Sequence, residues 1–344
     1  MLKLFQSIFG GNEGQGRYPE SLIEMATERV VDGTYPRLRA VPGYRKRLRQ
    51  PVIHAIDHVV ALIDSLPAAL PTMAAGYASD PRLSALFVSA EHMREVFGSD
   101  PVLSEFRNSH ADAGEPVTAL LLAERQEKKT LGVELDGEIA RRDVVQVTVG
   151  FRNHRLVDPA TGEEEARRQL KRRAFDHLLS LALWRISEAK SERAELSQQR
   201  VLLRSKLGAL QKGGWSFESQ GGERTDPVKL QGDLDEIEGQ LAALSVDDHT
   251  LSGQLDIVIE LLAGAEKHFW ADAIDFHVDR MNIKREAQVA DAMRISFSEL
   301  HNARGQTLVM LLVSISPGEL PQRKAFSATA DRLLAELGPA IQRR

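Results

Sequence analysis

Two apolar seams face each other across a glycine-rich break in the middle of this 344-residue chain. The first reads Phe175, Leu179, Ala182, Ile186, Ala189, Arg193, Leu196, Arg200, Leu203, Leu207, Leu210. The second reads Leu230, Leu234, Ile237, Leu241, Leu244, Asp248, Leu251, Leu255, Val258, Leu262. In both the steps alternate between four and three, the spacing that keeps one stripe of a helix against a partner helix. Two such seams around one short break, Gly213 to Gly222, predict an antiparallel helical hairpin. Its first arm, opened by a Thr161–Glu164 capping box, would run about 50 residues, or roughly 75 Å at ~1.5 Å per residue.

Facing residues of an antiparallel pair have numbers of constant sum. A sum of about 440 to 441 sets Leu210 against Leu230, Leu203 against Ile237 and Leu196 against Leu244. It also sets Arg193 against Asp248, a pairing expected to neutralise an otherwise costly seam charge and to oppose slippage.

The hairpin interrupts a region of a different period. Before it, Ala119 to Ala123, Thr130 to Leu135 and Val145 to Val157 read as strands. Gln126 to Lys129 reads as a turn between the first two, and Asp136-Gly137 as a hairpin turn. Asp158-Pro159 is expected to end the strand pattern. After the hairpin, Ala273 to Ile283 alternates again, with Ile274, Phe276, Val278 and Met281 as inward residues. Met293 to Phe297 and Thr307 to Ile315 follow. The expected fold class is α+β: an N-terminal helical region, a mainly antiparallel β-sheet domain interrupted by a long antiparallel coiled-coil hairpin, and a C-terminal helix.

The domain reading follows. Residues 1–16 form an amphipathic segment with a Gly-rich linker, and 17–114 a helical region. Residues 115–160 and 266–320 form the split β domain. The hairpin is 161–265, with its tip at 212–228, and 321–344 are the C-terminal helix and basic tail. Within the helical region, Pro19 suits a first turn and Pro51 is expected to open a second helix. A third is expected from Pro81 to Phe97. Asp80-Pro81 and Asp100-Pro101 look like repeated helix starts, each a capping carboxylate followed by proline.

Several function classes fall away on composition. There is no cysteine, which removes disulfides, thiolate nucleophiles and thiolate metal ligands. The net charge of −5 selects no nucleic acid partner globally. No apolar run approaches the ~20 residues of a membrane span. The start, Met1 to Gly11, is too short for a secretory leader, and Gly10 to Gly16 lacks the flanking residues of a phosphate loop. A cytoplasmic protein, with peripheral membrane contact as an option, is expected.

The candidate sites are local. Trp215 and Phe217 lie at the hairpin tip, where little core is available to bury them, and suggest docking of a protein partner. Arg37, Arg39, Arg45, Lys46, Arg47 and Arg49 form a basic cluster that would suit nucleic-acid phosphates or an anionic membrane surface, unless acidic neighbours neutralise it. A second group, Arg167, Arg168, Lys171, Arg172 and Arg173, follows three glutamates. His54, Asp57 and His58 have a helical chelating spacing, and Asp275, His277 and Asp279 share a strand face. Surface or structural roles explain both sets as well, so no metal and no cofactor is assigned. No catalytic motif is present. The leading expectation is a non-enzymatic interaction or scaffold protein that docks through a coiled-coil arm. The alternatives are the phosphate or membrane binder, a metal-dependent enzyme, and a homo-oligomer joined through the coiled coil.

Overall fold

The computed structural model describes residues 18–110, 115–136, 139–211, 227–243, 250–289, 291–316 and 318. The elements run α1 (Glu20–Gly33), a 3-10 turn (Pro36–Ala40), α2 (Tyr44–Asp64), β1 (Leu70–Pro71), α3 (Ala74–Tyr77), α4 (Pro81–Leu86), α5 (Ala90–Ser99) and α6 (Pro101–Ser109). They continue β2 (Val117–Asp136), β3 (Ile139–Ala160), α7 (Glu163–Gln211), α8 (Pro227–Ala243), α9 (Leu251–Ala263), α10 (Ala265–His268), β4 (Phe269–Val278), β5 (Met293–Asn302) and β6 (Thr307–Ile315). The class is α+β, and the sheet strands β2 to β6 are interrupted in sequence by the long helices.

The chain divides into two compact units, Met1–Ile63 with Leu170–Trp270 and Asp64–Gln169 with Ala271–Arg344. The helical region is therefore shared out at Ile63/Asp64, and α7 passes from one unit into the other at Gln169/Leu170. The expected N-terminal segment 1–16 and the C-terminal helix within 321–344 lie outside the described residues.

In the first unit, α1 buries Leu22, Ile23, Ala26, Val30 and Val31. The helix α2 buries Leu48, Pro51, Val52, Ala55, Ile56, Val59, Leu62 and Ile63. The stripe Ala174, Phe175, Leu178, Leu179, Ala182 and Ile186 of α7 and Leu255, Val258, Leu261 and Leu262 of α9 complete this core. Pro51 does not open a helix: α2 begins seven residues earlier, at Tyr44. A proline at this depth removes one backbone bond. The turns before it are held by the bond from Arg47 N–H to Gly43 O (3.1 Å), by buried Leu48 and by ion pairs of the arginines.

In the second unit the strand order is β3-β2-β6-β5-β4, with β1 parallel to β6. The pairings of β2 with β3 and β6, and of β5 with β6, are antiparallel. Residues 282–285 join the two edges. Asn282 O accepts from Val149 N–H (2.8 Å), Lys284 N–H donates to Val147 O (2.8 Å) and Arg285 N–H donates to His277 O (2.9 Å). The sheet thus closes on itself around Val117, Ala119, Leu121, Ala123, Val309, Leu311, Val313, Ile295, Phe297 and Val278, packed with Leu83, Met93 and Phe97 from the helices and with Phe87 from the link between α4 and α5. Burying each large side chain contributes about 1.5–3 kcal/mol.

Four local expectations are corrected in this unit. Gln126 to Lys129 is not a turn but the middle of a 20-residue strand, because Gln126, Glu127, Lys128 and Lys129 pair with Gly150, Val149, Thr148 and Val147. Asp158-Pro159 does not end β3. The register skips between Thr118↔Ala160 and Leu120↔Val157, and this bulge, with Asp158 at φ 49°, takes up the proline that cannot donate to the ladder. Met281 is not inward: β4 ends at Val278 and Met281 is 75% exposed in the following turn. That turn is shaped by Asp279, whose Oδ1 accepts from the amides of Met281 (2.8 Å) and Ile283 (3.0 Å). The helix expected from Pro81 to Phe97 is two helices, since extended Ser89 caps α5 by accepting from His92 N–H.

The expected starts at Asp80 and Asp100 are present, each side chain accepting an amide of its helix. The Thr161–Glu164 capping box is absent. Gly162, at φ 114°, accepts from Ala166 N–H, and Glu164 pairs with Arg168 one turn on.

Candidate interaction surfaces

The arm is built by α7 and α8. Ile186 is buried, Ala189, Arg193, Leu196, Arg200, Leu203 and Leu207 are half-buried, and the positions flanking them are mostly exposed. On α8 the least exposed positions are Leu230, Leu234, Ile237 and Leu241. An ion pair from Arg204 of α7 to Glu238 of α8 joins the two helices. These numbers add to 442, beside the 440 to 441 expected for the neighbouring seam residues.

The second arm is not one helix. Thr250, in extended conformation, caps α9 by accepting from Gly253 N–H (3.1 Å), and 244–249 lie outside the described residues. Thr250 is a strong cap former in a stretch of poor helix formers, and its hydroxyl competes with helix continuation. Arg193 and Arg200 each bury one guanidinium nitrogen, Nη1 and Nε, with no hydrogen-bond partner among the described residues. Asp248, the expected partner of Arg193, lies outside those residues, as do Trp215 and Phe217 of the tip. What α7 does expose is Leu183, Trp184, Val201 and Leu202. Residues 183 and 201, and likewise 184 and 202, are five helical turns apart on common faces.

The basic cluster sits on the 3-10 turn and the start of α2. Four of its six cations are met by carboxylates: Arg39 by Glu28 and Asp32, Arg45 by Glu28, Arg47 by Asp256, and Arg49 by Glu20. Arg37 and Lys46 have no ion pair among the described residues. Glu28 also accepts from the Tyr44 hydroxyl (2.7 Å). Burial pushes its carboxyl up, but Tyr44, Arg39 and Arg45 together hold it below the usual range. In the second basic group, Arg167 pairs with Glu163 and Arg168 with Glu164 and Glu165.

The histidine set is committed to protein partners. His54 Nε2 lies 2.9 Å from Glu266, whose carboxyl that bond holds below its ordinary value. His58 Nε2 donates to Phe269 O (2.6 Å), and Asp57 accepts from Tyr18 Oη (2.7 Å). On β4, Asp275 pairs with Arg294 and Asp279 with Arg285. Burial raises the Asp279 carboxyl, and the amides of Ile283 and Met281 with Arg285 outweigh it, so the group is held low. Among the described residues no cluster of three or more histidines and carboxylates has the geometry of a metal site.

Sequence reasoning missed a charged cluster inside the second unit. Glu299, 4% exposed, receives Arg125 Nε (3.1 Å), Arg125 also reaches Glu127, and Lys284 Nζ meets Glu127 (2.6 Å). His301 stands 3.6 Å from Asp272. These bonds link β2, β5 and the 282–285 segment, so they fasten the closed sheet. The available signal was parity: Arg125 and Glu299 continue the inward alternation of Leu121, Ala123, Ile295 and Phe297.

No helix among the described residues is long and apolar enough to cross a membrane. Comparison with known proteins finds no matching family model, no matching curated protein and no matching solved structure.

Proposed function

We propose that this chain is a non-enzymatic interaction protein whose coiled-coil arm presents a recognition surface to a protein partner. The observation that carries the reading is the exposed apolar set on α7: Leu183 and Trp184 near the base of the arm, Val201 and Leu202 five turns further out. Solvated helices rarely hold tryptophan, and partly exposed aromatic anchors flanked by aliphatics are what binding surfaces provide. A two-helix arm has much surface and little enclosed volume, which favours recognition over chemistry. Trp215 and Phe217 at the tip extend the proposed surface.

The alternative, binding of nucleic acid or anionic lipid through Arg37 to Arg49, has less support because acids of the same unit already meet Arg39, Arg45, Arg47 and Arg49.

The test is affinity capture from native lysate at 50 and 300 mM salt. It compares the wild type with Trp184→Ala/Val201→Ala and with Trp215→Ala/Phe217→Ala. A protein retained at both salt concentrations and lost with either variant supports the arm. Capture that vanishes at high salt and is untouched by both variants overturns it in favour of the basic cluster.

A further inference from the structure

Beyond Ala123, β2 leaves the sheet. Its last pairing with β6 is Ala123↔Val309, yet it continues to Asp136, paired among the described residues with β3 alone. The far edge of β3 is covered at Val147 and Val149 by residues 282–284. From Thr130 outward the ribbon is two strands, and along Gln126 to Gly132 the outer edge of β2 has no strand beside it among the described residues.

Three observations point to what covers that edge. First, Leu131 and Val145 stand directly opposite one another, 69% and 63% exposed, continuing the line of buried Val149 and half-buried Val147. The reverse face is closed by the Gln146 side chain, which lies over Gly132 and is itself 9% exposed. A bare two-stranded ribbon is marginal in water, and two exposed apolar side chains weaken it further.

Second, the bulges that would distort a pairing edge are on the other strand of the ribbon. All three register shifts put the extra residue in β3, and each has a left-handed Asp143, Asn153 or Asp158. The strand β2 contains no proline. Its edge is the regular one, able to accept another strand.

Third, the charge order along β2 is self-complementary. Lys128 and Lys129 precede Leu131, and Glu134 and Asp136 follow it. An antiparallel copy of the strand centred on Leu131 places Leu131 opposite Leu131 and Lys128 opposite Glu134, twice by symmetry. A parallel copy in register would set lysine against lysine.

We propose that the outer edge of β2 is a two-fold pairing site for a second copy of this chain, centred on Leu131. Two ribbons then form a four-stranded antiparallel sheet, with the exposed Leu131 and Val145 side chains of both copies on one face.

The chain has no cysteine, so a single introduced thiol reports the contact without background. Opposed residues of antiparallel strands are about 4.5–5.5 Å apart at Cα, within disulfide reach. Leu131→Cys in the full chain, under mild oxidation, is expected to give a covalent dimer, while the equally exposed Met281→Cys gives none. In sedimentation the wild type is expected to be a dimer at tens of micromolar and Leu131→Lys a monomer, its association weakened about tenfold or more by opposed like charges. A wild type that sediments as a monomer overturns the proposal. So does a Leu131→Lys protein that stays dimeric, which would locate the contact elsewhere, as in helix pairing between chains. Equal cross-linking of the two cysteine variants overturns it as well.

Discussion

The side chain of Asp100 accepts the amide of Leu156 at 2.9 Å, while its other oxygen accepts the amide of Leu103 at the same distance. One carboxylate thus caps α6 and fastens that helix to β3, 56 residues further along the chain. The residue is 8% exposed, so losing it leaves two amides without their acceptors. Asp100→Ala is expected to lower stability by about 2–3 kcal/mol, the sum of a lost cap and a buried unsatisfied donor. Asp100→Asn, which keeps one acceptor oxygen, is expected to cost about half as much. Urea unfolding followed by circular dichroism measures both. Equal stability of Asp100→Ala and wild type would contradict the assignment.

His154 stacks on Phe87 at 5.0 Å between centroids, and its Nε2 donates to Leu86 O (2.9 Å). Burial pushes its imidazole below the ordinary histidine value; the Leu86 bond opposes this and nearby His92 adds to it. A base with a depressed folded pKa is neutral in the fold and takes up its proton first in the unfolded chain. Its contribution is intact above the unfolded value near 6.5 and is lost as pH falls below that toward the folded value. The unfolding free energy is therefore expected to fall between pH 7 and 5, and His154→Gln, which can donate to Leu86 but does not titrate, is expected to flatten that fall. Carboxylates held low, such as Glu28 and Asp279, act at more acidic pH. An unchanged slope in the variant would remove His154 as the cause.

Gly33 closes α1 against α7. A Cβ placed there would stand 2.8 Å from Leu179 Cδ1, and Leu179 is buried. Alanine is a better helix former than glycine by up to ~1 kcal/mol, but a buried leucine has little room to turn aside. Gly33→Ala is expected to be net destabilising by about 1 kcal/mol, and Leu179→Val in the same chain to recover part of the loss. Thermal unfolding of the two single variants and the double variant checks this, and additive losses would sink it.

The residues legible in advance were those whose role is set by near neighbours. Asp80 and Asp100 cap helices because a short carboxylate reaches amides two or three residues on. The seam of α7 was readable because a helix of any context puts residues spaced by three and four on one side. Leu230, Leu234 and Leu241 are buried for the same reason. The α+β class followed from two hydrophobic periods in one chain.

Tertiary structure decided what competing neighbours were available. Gln126 to Lys129 has turn-like composition, yet β3 supplies a partner for each backbone group, and ladder bonds outweigh weak strand propensity. Pro51 is a helix opener in isolation and a helix interior here, because Glu20, Glu28 and Asp256 anchor the arginines before it. Those same acids, remote in sequence, turn a cluster that reads as a phosphate site into a largely neutralised one. His54 and His58 have a chelating spacing at four residues, but Glu266 and Phe269, more than 200 positions away, take both rings. The closure of the sheet through 282–285 and the edge of β2 that has no strand beside it among the described residues were equally beyond local reading, since an edge is defined by which strand is not beside it. By itself the sequence determined the periods and the caps, which depend on residues within one turn or one pleat. The partners of each charge and the free edges were decided only by tertiary structure, because they depend on groups brought together from distant parts of the chain.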